Sequence, residues 1–321
     1  MSDSGKAVQH LAVTVGDTAL ARYRLAPYLS PSPLEAAPGL GERVALKLEC
    51  LNPTHSFKVR GALNAMLALD TETRARGVIA ASTGNHAQGI AYAARALGVQ
   101  AKIVMPQSAP KKKIAGVKRW GGEPVLFGSD PGAVEPEARR LAATAGLAYI
   151  SPYNDPFVVA GQGTCGLEIL DQLPEVERII VPVGGGGLIA GIAVAVKSLK
   201  AEVEIIGVNA ALSPEMYNVF YGTELPCDYQ TIADALPGDI EADSITRGIT
   251  KALVSAIVRV TEDQIRAAMR WLVSEHGYIG EGGGVVGIAA LMGGLVPSDK
   301  VTAIVVSGGN VDAAVLGRVL V

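Results

Sequence analysis

Cysteine and aromatic side chains are scarce in this chain of 321 residues. Its cysteines, Cys50, Cys165 and Cys227, form an odd and widely spaced set, which gives neither a disulfide framework nor the ligand spacing of a zinc site. The first ten residues contain no apolar segment of the kind that directs secretion. These absences predict a protein of a reducing compartment, and we expect a cytoplasmic location.

Charge of one sign and long apolar runs are also missing. The net charge is −3, and the one basic run, Lys111 to Lys113, is interpreted as a solvated helix start. We expect no nucleic-acid partner, because such proteins present a basic face. Residues 181–196 come nearest to an apolar span, but a run of glycines interrupts them. They predict a buried helix after a strand, and no membrane partner is expected.

Short β-rich runs alternate with helical patterns along the chain, which predicts an α/β fold with mostly parallel sheets. The predicted strands span residues 44–48, 77–81, 101–105, 124–127, 178–183, 203–208 and 301–306. The predicted helices span residues 57–69, 85–97, 111–120, 136–145, 157–172, 188–199, 262–275, 285–292 and 311–321. Segment 30–41, rich in proline, glycine and serine, is interpreted as a surface connection, and segment 217–244 as a functional loop.

The segment 52–62 (NPTHSFKVRGA) follows a predicted strand and opens a helix that Ser56 is expected to cap. This places Lys58 in the first helical turn, where the positive end of the helix dipole disfavours a protonated amine. A lysine that forms a Schiff base needs such a shift toward the neutral amine. An exposed lysine at an ordinary helix start is the alternative.

Two further junctions between a strand and a helix have the composition of anion sites. Residues 81–89 (ASTGNHAQG) would expose backbone N–H groups to a carboxylate or a phosphate, although an ordinary cap and a packed His86 are alternatives. Gly184 to Gly187 would let the backbone wrap a cofactor phosphate. The same glycines partly fit a dinucleotide fingerprint, but the next strand ends near Asn209 where that fingerprint wants a carboxylate.

Two shorter glycine-rich turns complete the set of motifs. Ser307-Gly308-Gly309-Asn310 ends a strand on a hydroxyl, and Asn310 could cap the following helix. Residues 280–285 open another helix and carry Glu281; a flexible turn with a solvated acid is the alternative.

Together these segments resemble the tryptophan-synthase-β-like, or fold type II, pyridoxal-phosphate enzymes, in the branch of serine/threonine dehydratases and serine racemases. The resemblance covers nearly the whole chain and includes, in the family's order, residues 56–62, 82–86, 161–164, 184–187, 231–234 and 307–310. It implies two domains, each an open, mostly parallel twisted sheet flanked by helices. Residues 1–73 and 153–321 would form a large cofactor-binding domain, and residues 74–152 a small inserted domain that closes over the substrate.

The resemblance also implies roles for individual residues. Lys58 would hold pyridoxal 5′-phosphate as a Schiff base and, once released, take the Cα proton of the substrate. Phe57 would pack against the ring, Asn85 would hydrogen-bond the 3′-oxygen, and Ser307 would face the pyridine nitrogen with Glu281 nearby. The phosphate would bind Gly184, Gly185, Gly186, Gly187 and Leu188, and the substrate carboxylate would bind Ser82, Thr83, Gly84 and His86.

The implied activity is that of an ammonia-lyase, or dehydratase, which converts a β-hydroxy amino acid such as L-threonine or L-serine to a 2-keto acid and ammonia. A hydroxyl at the pyridine nitrogen makes the ring a weaker electron sink, which favours loss of a β-leaving group. Racemisation and β-replacement on the same cofactor are the alternatives, and a nucleotide-binding protein is a remote one. Thr83 stands where the racemase branch carries a catalytic serine. Its β-branch restricts χ1, so we expect weak racemisation.

The region after residue 207 departs from the family. Relatives often place a carboxylate at the position of Asn209, and the neutral amide here makes a divalent metal doubtful, since such ions want charged oxygen ligands. Ser213 and Glu215 are the candidates if a divalent metal binds, and a monovalent ion or no metal are the alternatives. The expected partners are a small amino-acid substrate and a second copy of the chain in a homodimer.

Overall fold

Two mostly parallel sheets form the framework of the computed structural model, which describes residues 11–321. The strands are β1 (Leu34–Ala36), β2 (Val44–Leu48), β3 (Val78–Ala81), β4 (Ala101–Met105), β5 (Glu123–Leu126), β6 (Ala148–Tyr149), β7 (Arg178–Pro182), β8 (Glu204–Ala210), β9 (Ala256–Val260) and β10 (Thr302–Val306). The larger sheet has the order β1-β2-β10-β7-β8-β9, and the smaller one has the order β5-β4-β3-β6. Every pairing is parallel except that of β1 with β2.

Helices cover both faces of each sheet. They are α1 (Val15–Leu25), α2 (Lys58–Ala68), α3 (Thr71–Arg76), α4 (Asn85–Leu97), α5 (Lys111–Arg119), α6 (Val134–Ala145), α7 (Pro156–Gln172), α8 (Gly187–Leu199), α9 (Glu215–Tyr221), α10 (Ile245–Leu253), α11 (Glu262–His276), α12 (Val286–Met292) and α13 (Ala313–Leu320). Within residues 11–321, every helix is too short or too polar to cross a bilayer.

The larger sheet is buried on both faces. Alternate residues of β7 contribute to two separate cores: Ile179 and Val181 pack with α1, α7, α8 and α10, whereas Ile180 packs with α11 and α12. Burial on both faces explains why its central strands are continuously apolar. The smaller sheet is likewise packed between α4 and α5 on one face and α6 on the other.

The predicted α/β class is confirmed, and every predicted strand and helix is present to within a few residues. The interpretation of segment 30–41 as a connection is wrong in part, because β1 lies within it and pairs with β2 over three residues. Helices α1, α3, α9 and α10 and strands β6 and β9 were not predicted. Helix α1 is marked by its cap more than by apolar periodicity: Thr14 and Asp17 form a reciprocal capping box.

A buried cluster of charges fixes the start of α2. Arg60 is 1% exposed and contacts Glu49 at 2.7 Å and Glu168 at 2.6 Å, and Lys47 on β2 also contacts Glu168. Burial raises the pKa of Glu49, but the nearby Arg60 and Lys47 outweigh burial and bring that pKa to about 2. The cluster therefore ties α2, and with it Lys58, to the end of β2 and to α7.

Replacing Arg60 by methionine should destabilise the protein by about 3–5 kcal/mol, because two buried carboxylates lose a partner. Urea-induced unfolding measures the loss. Arg22→Met is the matched control: Arg22 pairs with Asp171 at 2.6 Å, but both side chains are about half exposed, so only the small change of a surface ion pair is expected. Equal losses in the two variants would contradict the role given to the buried cluster.

Candidate active site

The loops that the sequence singled out converge at one place. The Phe57 N–H donates to the carbonyl of Ser307 at 3.1 Å, and Ser56 forms an isolated β-bridge with Gly308. Asn85 donates from Nδ2 to Glu281 Oε1 at 2.6 Å. Segments that are far apart in the chain therefore meet at the carboxyl ends of β2, β3 and β10.

Lys58 is the first residue of α2 and is half-buried. Its Nζ donates to the carbonyl of Pro152 at 2.8 Å. Burial lowers the pKa of Lys58 to about 8, although the charge of Glu281 acts in the opposite direction. The predicted cap at Ser56 is wrong: Phe57 occupies the cap position without a side-chain hydrogen bond, and Ser56 Oγ is buried without a partner.

The glycine run forms a tight turn at the start of α8. A Cβ atom on Gly185 would lie 2.5 Å from the ring of Tyr153, and one on Gly184 would lie 2.5 Å from the carbonyl oxygen of Leu236. Gly186 has a φ of 86° and caps α8 without a side-chain bond, so the first N–H groups of the helix keep their capacity to bind an anion. The predicted phosphate residues Gly184 to Leu188 all belong to this turn or to the first residues of α8.

The Lys58 amine lies beside this turn. It contacts the carbonyl of Pro152, and the next residue, Tyr153, is the one whose ring covers Gly185. A single small molecule that carries an aldehyde and a phosphate could therefore reach both the amine and the turn.

The segment before α4 borders open space. Gly84 caps α4 without a side-chain hydrogen bond, and a Cβ atom there would have nothing within 4 Å. Ser82 Oγ accepts from the Gly84 N–H at 3.1 Å, and both Ser82 and Thr83 are half-buried. These residues can therefore bind an anionic group at the start of a helix of 13 residues.

His86 is buried and held in one tautomer. Its Nε2 lies 3.0 Å from the carbonyl of Ile150, which can only accept, so Nε2 carries the proton. Nδ1 is then an acceptor, and it is buried without a partner. Burial, followed by the charge of Lys58, lowers the pKa of His86 to about 3. The residue is thus a neutral acceptor near Lys58.

The candidate metal residues lie near the end of β8. Ser213 Oγ donates to Glu215 Oε2 at 2.6 Å, and the other oxygen of Glu215 is buried without a partner. Asn209 uses both ends of its amide inside the protein, donating to the Val183 carbonyl and accepting from the Tyr217 N–H. Among residues 11–321, no three histidine, cysteine or acidic side chains are grouped as metal ligands.

Two residues of the site were missed in the sequence. Tyr153 was not singled out, because nothing local marks an aromatic residue that packs on a distant glycine turn. Asn310 was interpreted as a helix cap, but Asp312 caps α13. Asn310 donates instead to the carbonyl of Thr54 and to Asn85, each at 2.8 Å. Its position in the Ser307–Asn310 motif is the sequence feature that could have indicated a place in the site.

The residues of the site fit pyridoxal phosphate. The Lys58 amine has a lowered pKa, as an amine that condenses with an aldehyde requires. The turn at Gly185 has no room for side chains and presents a helix N-terminus, which suits a phosphate. Asn85 supplies a donor, and Ser307 is buried at the end of β10. The individual roles stay predictions.

The buried His86 predicts acid sensitivity. Its pKa lies below the usual value in the folded protein, so its contribution to stability is complete above pH ~6.5 and is lost as the pH falls toward about 3. Between about pH 7 and about pH 5, His86→Gln should lose about 2 kcal/mol less stability than the unaltered protein. Urea unfolding at both pH values measures this difference, and parallel losses would contradict a buried neutral imidazole.

Comparison with known proteins agrees with this site. Residues 25–308 match the family described as pyridoxal-phosphate dependent enzyme. The chain is 42% identical to an L-threonine ammonia-lyase of Thermotoga maritima over 87% of this chain and 70% of that protein. It is 41% identical to a catabolic L-threonine dehydratase of Staphylococcus aureus over 94% of this chain and 90% of that protein. The structure of maize serine racemase superimposes with a TM-score of 0.89 at 31% identity, covering 96% of both chains. The chain belongs to the pyridoxal-phosphate-dependent enzymes of fold type II.

Proposed function

We propose that the chain is an ammonia-lyase that converts L-threonine, L-serine or a similar small β-hydroxy amino acid to a 2-keto acid and ammonia. The observation that carries the proposal is the half-buried Lys58 amine beside the glycine turn. The names of the relatives from Thermotoga maritima and Staphylococcus aureus support the lyase over other reactions of this cofactor.

When bound, pyridoxal phosphate supplies a conjugated ring that withdraws electrons from the substrate Cα. The protein's part is to bind, orient and move protons. Because the pKa of Lys58 is about 8, a useful fraction of its amine is unprotonated near neutral pH and can accept the Cα proton. Ser307, as a neutral hydroxyl, would leave the ring nitrogen without a proton.

The substrate carboxylate would bind at the start of α4. Gly84 at the cap position offers no side chain to the first N–H groups of α4, and Ser82 and Thr83 add hydroxyl groups. Neutral His86 offers only an acceptor, Nδ1, so it could bond a donor group of the substrate but not its carboxylate.

We also propose that residues 74–152 form an inserted domain that closes over the substrate, with residues 1–73 and 153–321 as the large domain. All strands of the smaller sheet lie between Val78 and Tyr149, which supports this division. Closure would exclude water from the reacting centre. A homodimer and a cytoplasmic location are further proposals, which rest on the resemblance and on the composition alone.

Two ion pairs support the closed arrangement. Lys113 on α5 lies 3.1 Å from Asp234, and Lys112 lies 3.7 Å from Asp312. The basic run is the solvated helix start that the sequence predicts, and two of its lysines also reach acidic residues of the 153–321 segment. These pairs are partly exposed, so each would contribute little alone.

Replacing Lys58 by alanine should lower the rate of keto-acid formation from L-threonine and L-serine by at least about a hundredfold, because the site loses its base. The visible absorption band of bound cofactor should disappear as well. Lys251→Ala is the matched control, because Lys251 is exposed on α10. A panel of β-hydroxy amino acids in a keto-acid-coupled assay identifies the preferred substrate. An intact band in Lys58→Ala would refute the proposal.

Racemisation is the second candidate function, favoured by the likeness to maize serine racemase. Thr83 would then supply the acid–base group on the opposite side of the substrate. Thr83→Ser removes the β-branch and keeps the hydroxyl, so the ratio of d-serine to pyruvate formed from l-serine should rise several-fold over that of the unaltered protein. Chiral chromatography with a pyruvate assay measures both products. An unaltered protein that already forms d-serine as fast as pyruvate would favour the racemase.

A further inference from the structure

A series of amide hydrogen bonds leads from the backbone carbonyl of Thr54 through the half-buried Asn310 to the buried Asn85. Asn310 Nδ2 donates to the Thr54 carbonyl and to Asn85 Oδ1, each at 2.8 Å, and Asn85 Nδ2 donates to Glu281 Oε1 at 2.6 Å. Asn85 belongs to α4, beside the smaller sheet, whereas its partners come from loops at the edge of the larger one.

The direction of this series of hydrogen bonds is fixed at its far end. A backbone carbonyl can only accept, so the atom of Asn310 that faces Thr54 must be nitrogen. The same nitrogen faces Asn85, which must therefore present its oxygen to Asn310. It follows that the Asn85 nitrogen faces Glu281. This order does not depend on the protonation of Glu281.

Backbone contacts hold the segments that carry these hydrogen bonds in place. The Gly309 N–H donates to the carbonyl of His55 at 2.9 Å, and Ser56 forms a β-bridge with Gly308. A Cβ atom on Gly308 would collide with Glu281 Oε1 and would lie 3.2 Å from Asn85 Nδ2. Glu281 and Asn85 therefore pack directly on the Gly308 backbone, which leaves little room for another arrangement.

We propose that Asn310 is a positioning residue that keeps the Asn85 amide turned with its nitrogen toward Glu281, so that one N–H of Asn85 remains available to the 3′-oxygen of the cofactor. The inference rests on the proposed function. An amide nitrogen carries two hydrogens, and Glu281 takes only one of them. Turning the amide over would put an acceptor oxygen where that free N–H stands.

The variant that tests this is Asn310→Asp, which keeps the shape but replaces the donor by an acceptor. Asn85 would then have to turn over to donate to residue 310, and its oxygen would face the Glu281 carboxylate. In the purified enzyme with pyridoxal phosphate, we expect a shifted absorption maximum and a cofactor dissociation constant raised roughly ten- to a hundredfold, the effect of one hydrogen bond to a charged oxygen.

Two further variants separate a change in the orientation of Asn85 from a general loss of structure. Asn64→Asp is the matched control: Asn64 is also buried, and its Nδ2 donates to the Phe157 carbonyl at 2.7 Å, but it has no link to Asn85. Its spectrum and cofactor affinity should stay those of the unaltered protein. Asn310→Ala removes the donor that orients Asn85 but puts no acceptor in its place, so Asn85 is left unconstrained on that side rather than inverted, and we expect a smaller change than in Asn310→Asp.

A double variant tests the direction itself. In Asn310→Asp, two acceptor oxygens face each other between Asn85 and Glu281, which should lower the unfolding midpoint. When Glu281→Gln is added, the introduced amide can donate to the inverted Asn85. The unfolding midpoint should then recover while the absorption shift persists. The inference is overturned if Asn310→Asp keeps the normal absorption maximum and dissociation constant, or if Asn64→Asp and Asn310→Ala change them as much. If the unaltered protein shows no cofactor band at all, the proposed function fails instead.

Discussion

The desolvation of one amine is the constraint on which the rest of the site depends. Lys58 is half-buried at the start of α2, and desolvation disfavours its charged form. That effect raises the unprotonated fraction of the amine near neutral pH, which the proposed roles of nucleophile and proton acceptor require. Desolvation acts on the neighbouring His86 as well: its own burial, followed by the charge of Lys58, lowers its pKa to about 3.

The helices around the amine pack unusually closely. Gly61 of α2 and Gly161 of α7 face each other: a Cβ on Gly161 would lie 2.7 Å from the Cα of Gly61. A Cβ on Gly89 of α4 would lie 3.1 Å from the Lys58 carbonyl carbon. The glycines thus bring three helix backbones together around the lysine, and the buried ion pairs of Arg60 keep α2 from shifting.

The charges around the amine belong to residues that are far apart in the sequence. Burial, followed by the charge of Asp234, raises the pKa of Glu281 to about 7, while its hydrogen bond from Asn85 acts the other way. Asp234 in turn pairs with Lys113 on α5. The packing of α5 against the 153–321 segment therefore affects the pKa of Glu281, because it brings Lys113 to Asp234.

The sequence by itself determined the α/β class, the place of Lys58 at the start of a helix and the glycine turn before α8. These are local features, which apolar periodicity and glycine content report directly. It could not determine that Ser56 lacks a capping role, that Lys112 and Lys113 reach acidic partners, or that Asn310 bonds Asn85. Each depends on a partner contributed by a distant segment. Only the packing of the two sheets brings those segments together, because hydrogen-bond direction, burial and pKa depend on the neighbours in space.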